Sequence, residues 1–320
     1  MSQYICKVCQ HQQQGNVFNV KEMQLGFREE FQYLLCENCG CMQLLNIPQD
    51  LSKYYPNTNY YSFSSEGKKL KTTSFNKIRT GYLLHRKNAV LGKLFSSGYT
   101  IPEYMEWVKI PGVNFNDKIL DVGTGSGQLL LDLYKNGFTN LHGIDPFIDK
   151  DINYGPFQVK KKDIFQLKET YDLIMLHHVF EHMDEPAKVL EQLNALLNPG
   201  KFLVIRTPVM GMFGWKHFGT DWVGLDAPRH LLIHSLKSMN MLATAAGFKI
   251  VKTVFDSVAY HFFASEQYKK NIALMDPHSF YVNMKGSGFT KEDSKNFKAL
   301  ARKTNEEGMG DQAAFYLVKE

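Results

Sequence analysis

Short apolar runs alternate with stretches of helical spacing through the last two thirds of the chain. Residues 119–127 (Ile-Leu-Asp-Val-Gly-Thr-Gly-Ser-Gly) read as a buried strand that ends in a glycine-rich turn and leads into a helix. A second strand over 141–144 ends in Asp145-Pro146, and a third lies near 157–161. The fourth, Tyr171-Asp172-Leu173-Ile174-Met175-Leu176, is nearly all apolar, as a strand buried on both faces should be. A turn over Leu197-Asn198-Pro199-Gly200-Lys201 precedes a fifth strand at 202–205. The alternation over Phe248–Phe255 gives a sixth, and residues 312–318 a last one. Between them, Val189, Leu190, Leu193, Leu196 and Leu197 recur at helical spacing over 186–197. Residues 236–247 read as an amphipathic helix ending at Gly247, and 291–305 as a further helix. Strands alternating with helices predict a doubly wound, Rossmann-like α/β sheet of seven strands.

Glycine spacing narrows the chemistry of the first turn. Glycines let the backbone turn sharply and approach a ligand, and the amides opening the next helix point at it. The dinucleotide pattern G-x-G-x-x-G needs glycine where Gln128 stands, and no lysine follows to make a P-loop. Asp145 lies 24 residues after Asp121, where a doubly wound fold places the carboxylate that accepts ribose hydroxyls. An ordinary tight turn and a surface-turn acid are the bland alternatives. The order Asp121-x-Gly123-x-Gly125-x-Gly127 resembles motif I of class I S-adenosylmethionine (SAM) methyltransferases. The series Tyr171-Asp172-Leu173-Ile174, Glu181-His182 and Leu197-Asn198-Pro199-Gly200 extends that resemblance from about residue 115 to 255. It implies that Asp121, Gly123, Thr124, Gly125, Gly127 and Gln128 wrap the methionine moiety. Asp145 and Pro146 would take the ribose, and Asp163 and Ile164 the adenine. His177, where the fourth strand ends, joins this cofactor set.

The cysteines cluster at the other end. All five lie in the first 41 residues, as Cys6-Lys7-Val8-Cys9 and Cys36-Glu37-Asn38-Cys39-Gly40-Cys41. Two C-x-x-C knuckles, 26 residues apart with a β-hairpin expected between them, suit four thiolates around a structural zinc: Cys6, Cys9, Cys36 and Cys39. Cys41 is expected to be a bystander, with replacement of Cys39 as its alternative role. A closed four-cysteine site has no open position, so structure or docking of another protein is its expected use. The domain reading is a zinc ribbon at 1–46, a helical, aromatic-rich connector or lid at 47–114, and the methyltransferase domain at 115–320. Inserted substrate-side elements fall near 207–234 and 257–310. In the connector, Tyr54-Tyr55, Tyr60-Tyr61 and Phe63 supply aromatics, and Tyr82, Leu83, Arg86, Val90, Leu91, Leu94 and Phe95 recur at helical spacing.

Composition adds exclusions. No apolar run approaches the ~20 residues of a membrane span. Met1-Ser2-Gln3-Tyr4 shows no signal pattern, so a cytoplasmic location is expected. A net charge of +5, spread along the chain, argues against nucleic acid as the partner. The runs Lys68-Lys69-Leu70-Lys71 and Lys160-Lys161-Lys162 read as solvated faces.

Candidate catalytic residues follow the fourth and fifth strands. His178, Glu181 and His182 stand at i, i+3 and i+4 and are expected on one helical face; His230 lies in Asp226-Ala227-Pro228-Arg229-His230. Three readings stay open. His178 or His230 acts as general base for an alcohol or sugar hydroxyl. Alternatively His178, Glu181, His182 and His230 hold a metal, which resembles the E-x-x-E-H plus distant His of small-RNA 2′-O-methyltransferases and the E-x-x-E-H of some quinone O-methyltransferases, with His178 for the first Glu. Or Glu181-His182 braces the turn beside the cofactor. The layout of ribbon, Tyr-Tyr segment, core and Pro-Arg-His resembles bacterial sugar and polysaccharide-biosynthesis methyltransferases. That implies a small-molecule acceptor, a sugar or nucleotide-linked sugar. The alternatives are metal-assisted O-methylation of RNA or a quinone-like phenol, and a degenerate fold used as a binding module.

Overall fold

The structure, a computed structural model, describes residues 3–55 and 72–320. Tyr60, Tyr61, Phe63 and the Lys68-Lys69-Leu70-Lys71 run lie outside the described residues. The chain opens with β1 (Tyr4–Ile5), β2 (Gln12–Gln13), β3 (Val17–Lys21), β4 (Glu30–Leu35) and β5 (Met42–Leu44). Helices α1 (Ser74–His85), α2 (Ala89–Ser96) and α3 (Tyr104–Lys109) lead to β6 (Ile119–Val122). Then come α4 (Gln128–Lys135), β7 (Leu141–Ile144), β8 (Ile152–Asn153), β9 (Gln158–Lys160), β10 (Tyr171–His177), α5 (Pro186–Leu196) and β11 (Leu197–Pro208). The last part holds α6 (Phe213–Phe218), β12 (Leu232–Ile233), α7 (Leu236–Ala245), β13 (Phe248–Phe255), α8 (Ala259–Lys269), α9 (Lys291–Glu306) and β14 (Gln312–Lys319).

The large sheet runs β13-β14-β11-β10-β6-β7-β9-β8. β11, β10, β6, β7 and β9 are mutually parallel, while β14 pairs antiparallel with both β11 and β13. The order reverses at β6, so ligands are expected at the carboxyl edges of β6 and its neighbours. All seven expected strands are present, and the two-residue β8 adds an antiparallel edge. The expected turn at 197–201 is instead a bulge within β11. Tyr171 pairs with Leu197 and Leu173 with Phe202, so Asn198 to Lys201 arch out of the ladder with Gly200 left-handed.

Alternate side chains bury both faces of this sheet. Leu120, Val122, Ile174, Leu176, Leu203, Ile205, Phe315 and Leu317 pack under α5 and α7. Ile119, Leu173, Met175, Val204 and Tyr316 pack under α3 and α4. That double burial explains why these strands read as continuous apolar runs.

The N-terminal strands do not stand apart. The second sheet runs β12-β5-β4-β3, so a strand from the segment after His230 completes the cysteine-bearing unit. The expected hairpin between the knuckles is β3–β4. One apolar cluster joins Val20, Tyr33, Met42 and Leu44 to Phe218, Trp222, Leu225, Ile233 and Phe262. The connector departs from the expected single apolar face. Arg86 and Asn88 are left-handed and break it into α1 and α2, and Val90, Leu91 and Leu94 are exposed.

Candidate active site

The turn after β6 is built from backbone that only glycine adopts freely. Gly123, Gly125 and Gly127 all have positive φ. A Cβ on Gly123 would sit 2.4 Å from Val179 Cγ2, and one on Gly127 2.8 Å from Val159 Cγ2. Gly123 and Thr124 donate their amides to Ile144 O, which ties the turn to the end of β7. The Asp145 carboxylate accepts Gly125 N through Oδ2 (2.9 Å) and Phe147 N through Oδ1 (2.8 Å). Each oxygen keeps a further lone pair for a ligand hydroxyl. Asp121 is buried and accepts Thr124 Oγ1 at 2.5 Å. Burial raises its carboxyl to about 7, against the pull of the Thr124 hydroxyl, and the Asp145 charge adds to the rise.

The rest of the expected cofactor set falls along the same edge. Pro146 and Gln128 are exposed beside the turn. Ile164 is buried, while Asp163 is exposed and caps the short turn Ile164–Gln166 by accepting Phe165 N. His177 packs against Trp107 with ring centroids 3.9 Å apart and the planes tilted by 32°, and neither ring nitrogen has a hydrogen-bond partner among the described residues. Burial, with Arg206 and His178 nearby, holds its imidazole neutral, well below the usual histidine range.

Beyond β10 the histidines separate. The single helical face expected for His178, Glu181 and His182 does not form. Only Phe180–His182 makes a short 3₁₀ turn, and His178 precedes it with φ +55°. His178 Nε2 lies 2.6 Å from Arg206 NH1. A guanidinium can only donate, so that bond occupies the Nε2 lone pair and removes His178 as a ready base. Its Nδ1 lies 3.4 Å from Glu181 Oε1. Arg206 is held in turn by Asp256 (2.5 Å) and Glu103 (3.3 Å).

Glu181, His182 and His230 do converge. Glu181 is fully buried, its Oε2 accepts Thr207 Oγ1 at 2.9 Å, and its Oε1 has no hydrogen-bond partner among the described residues. Burial pushes its carboxyl up, but His178, His230 and His182 around it outweigh that and hold it below the usual range. His182 Nδ1 lies 2.8 Å from Arg229 O, and His230 Nδ1 2.8 Å from Gly224 O. A carbonyl can only accept, so each Nδ1 carries a proton. Burial, with the charge of His230, lowers His182 to about 4, so it is neutral near pH 7. Tyr55 links this group to the cofactor edge: its hydroxyl is 3.2 Å from His182 Nδ1 and its ring lies parallel to that of Phe147.

The loop carrying His230 is fixed from several sides. The buried Arg229 guanidinium pairs with Asp226, donates to Tyr54 O (2.9 Å) and lies 3.8 Å from the fully buried Glu22. Tyr33 Oη donates to His230 O at 2.9 Å, so the N-terminal sheet reaches the site.

Sequence reasoning missed a further pair. His261 Nδ1 bonds Asp311 Oδ1 at 3.0 Å, and Asp311 also accepts Trp222 Nε1 (2.8 Å) and Ser257 Oγ. Burial raises the Asp311 carboxyl, but His261, Ser257 and Trp222 overcome this and hold it at about 2. A cavity of about 20 Å³, bounded by Pro208, Gly224, His261 and Asp311, lies beside the pair. The residues are 50 apart in sequence, and only the inserted element expected near 257–310 marked the place.

The cysteines assemble as expected. One Sγ from each of Cys6, Cys9, Cys36 and Cys39 lies within 4.8 Å of the others. The Cys6–Cys39 and Cys9–Cys36 pairs are 3.6 and 3.5 Å apart, near the roughly 3.8 Å edge of a tetrahedral zinc–thiolate site. Cys41 is not a remote bystander: it is buried, with its Sγ 3.4 Å from those of Cys6 and Cys39.

The profile of a methyltransferase domain matches residues 75–253, more than half of the chain. The chain belongs to the methyltransferase-domain family. It carries a methyltransferase domain built on a Rossmann-like sheet. The methyltransferase is 26% identical over 172 residues to the tRNA U34 carboxymethyltransferase of Nautilia profundicola, covering 47% of this chain and 54% of that protein. It is 34% identical over 55 residues to EEF1A lysine methyltransferase 2 of Danio rerio, covering 17% of this chain and 24% of that protein. The matches therefore span about half or less of these relatives. Among solved structures, the cyclopropane synthase MmaA2 from Mycobacterium tuberculosis aligns at 15% identity and a TM-score of 0.44, covering 78% of this chain and 99% of that one.

Proposed function

We propose that the methyltransferase binds SAM across the carboxyl edges of β6 and β7 and methylates a hydroxyl of a small molecule, a sugar or nucleotide-linked sugar. The observation that carries the cofactor reading is the glycine turn tied to Asp145 through Gly125 N. When bound, SAM supplies an electrophilic methyl group on a sulfonium. Asp121, Gly123, Thr124, Gly125, Gly127 and Gln128 hold its amino-acid end. The free lone pairs of Asp145, beside Pro146, accept the ribose hydroxyls, and Asp163 with Ile164 bounds the adenine. His177, kept neutral and packed against Trp107, walls the edge without adding a charge beside the sulfonium.

On the acceptor side, Glu181, His182 and His230 present two imidazole rings and a carboxyl group, while Tyr55 and the exposed Phe147 offer rings to the apolar face of a sugar. Cys6, Cys9, Cys36 and Cys39 hold a structural zinc. Because β12 completes the sheet of that unit, and Tyr33 bonds His230 O, the zinc unit's first role is to brace the acceptor loop.

The test is transfer of radiolabelled methyl from SAM to parallel pools of nucleotide sugars, transfer RNA and phenolic quinone precursors. Label in the sugar pool supports the reading. Label confined to RNA or to the phenols would replace it.

A further inference from the structure

Glu181 places a carboxyl group in the interior with one oxygen unpaired, an arrangement that is costly unless a partner is supplied. Such an orphan asks for a partner, and the protein atoms near Oε1 are poor ones. His178 Nδ1 is at 3.4 Å and His230 Nε2 at 3.8 Å, both beyond good hydrogen-bond reach.

We infer that Glu181, His182 and His230 form a binding site for a divalent first-row transition cation, distinct from the cysteine cluster. A carboxylate oxygen and one nitrogen from each ring lie within 4.8 Å of one another. Each histidine hands its Nδ1 proton to a backbone carbonyl, Arg229 O or Gly224 O, the outer-shell arrangement that fixes the tautomer of a metal-ligating imidazole. Thr207 Oγ1 orients the carboxylate in the same way.

Charge points in the same direction. Glu22 and Glu181 are fully buried and Asp226 is largely so, yet Arg229 is the one guanidinium set against them among the described residues. Three buried or largely buried carboxyl groups thus face one guanidinium, an arrangement that favours a bound cation. The mixed nitrogen and oxygen donor set suits zinc, cobalt, nickel or manganese over magnesium or calcium. Three protein ligands leave a position open on a four-coordinate ion, the pattern of a catalytic site, whereas the cysteine cluster is closed. Metal binding here stands on its own geometry; its use in activating an acceptor hydroxyl rests on the function proposed above.

The experiment is cobalt loading of the full-length protein after gel filtration, read by elemental analysis and by the visible spectrum of bound Co²⁺. Wild type should hold the cysteine-bound zinc plus one cobalt equivalent with imidazole–carboxylate absorption. Glu181→Gln and His230→Asn should each weaken that equivalent by more than about 100-fold, beyond the 10–100-fold that an outer-shell change such as Thr207→Val costs. The zinc and the affinity for SAM should stay, which certifies the fold and separates this inference from the cofactor reading. If wild type takes up no cobalt beyond the cysteine cluster, or the Glu181→Gln and His230→Asn variants both keep it, the inference is overturned.

Discussion

Gly123→Ala is the sharpest test of the turn geometry. The position combines φ +68° with a neighbour that leaves no room, since the new Cβ would lie 2.4 Å from Val179 Cγ2 and 3.0 Å from Cγ1. The left-handed backbone costs an alanine about 1–2 kcal/mol. Forcing a methyl against Val179 adds about 1–3 kcal/mol. The sum, about 2–5 kcal/mol, should appear as a lower urea midpoint with an unchanged slope. The two parts separate in a double-mutant cycle. Val179→Ala alone removes two half-buried methyls and costs about 1–2 kcal/mol. Combined with Gly123→Ala it relieves the clash but not the backbone strain, so the pair should be more stable than additivity predicts by about 1–3 kcal/mol. If Gly123→Ala lies within about 0.5 kcal/mol of wild type, or the two substitutions simply add, the close approach of the turn to Val179 is wrong.

Further expectations follow from the same contacts. The folded Asp121 carboxyl, raised to about 7, binds its proton more tightly than the unfolded one, whose pKa is about 3.9. Its contribution to stability is therefore full below pH 4, is lost as pH rises from 4 to 7, and is flat above. The loss is on the order of 4 kcal/mol, and Asp121→Asn should abolish that slope in urea titrations from pH 4 to 8. Trp222→Phe removes the indole bond to buried Asp311 and should cost about 1–3 kcal/mol in chemical denaturation; a change below that range would mean the bond contributes little. Cys36→Ser should reduce zinc from about one equivalent to near zero, while Cys41→Ser should leave about one. Zinc lost from the Cys41 variant would make the fifth thiol a ligand.

What the sequence displayed and what it hid divide along physical lines. Strands buried on both faces must be apolar throughout, so β6, β10 and the strands beside them were legible as runs. The glycine turn was legible because left-handed backbone has a compositional mark. The cysteine knuckles and their hairpin were legible because metal ligands keep tight local spacing. By contrast, the i, i+3, i+4 pattern of His178, Glu181 and His182 suggested a helix, and the left-handed backbone at His178 turned that ring away to Arg206. A positive φ at a non-glycine residue leaves no trace in composition. Pairing of β5 with β12, and of His261 with Asp311, joins distant segments through tertiary packing. No local periodicity encodes such partners. The two left-handed residues that split α1 from α2 were hidden for the reason His178 was.

The central claim is that SAM sits on the glycine turn with its ribose on Asp145. Its most direct test is titration calorimetry of SAM into the full-length protein and its Asp145→Ala variant, with the fold of each checked by circular dichroism. The account predicts saturable one-to-one binding by wild type. Loss of two charge-assisted hydrogen bonds, at about 1.5–3 kcal/mol each, should weaken the variant by more than about 100-fold. A folded Asp145→Ala protein that binds SAM as tightly as wild type would contradict it.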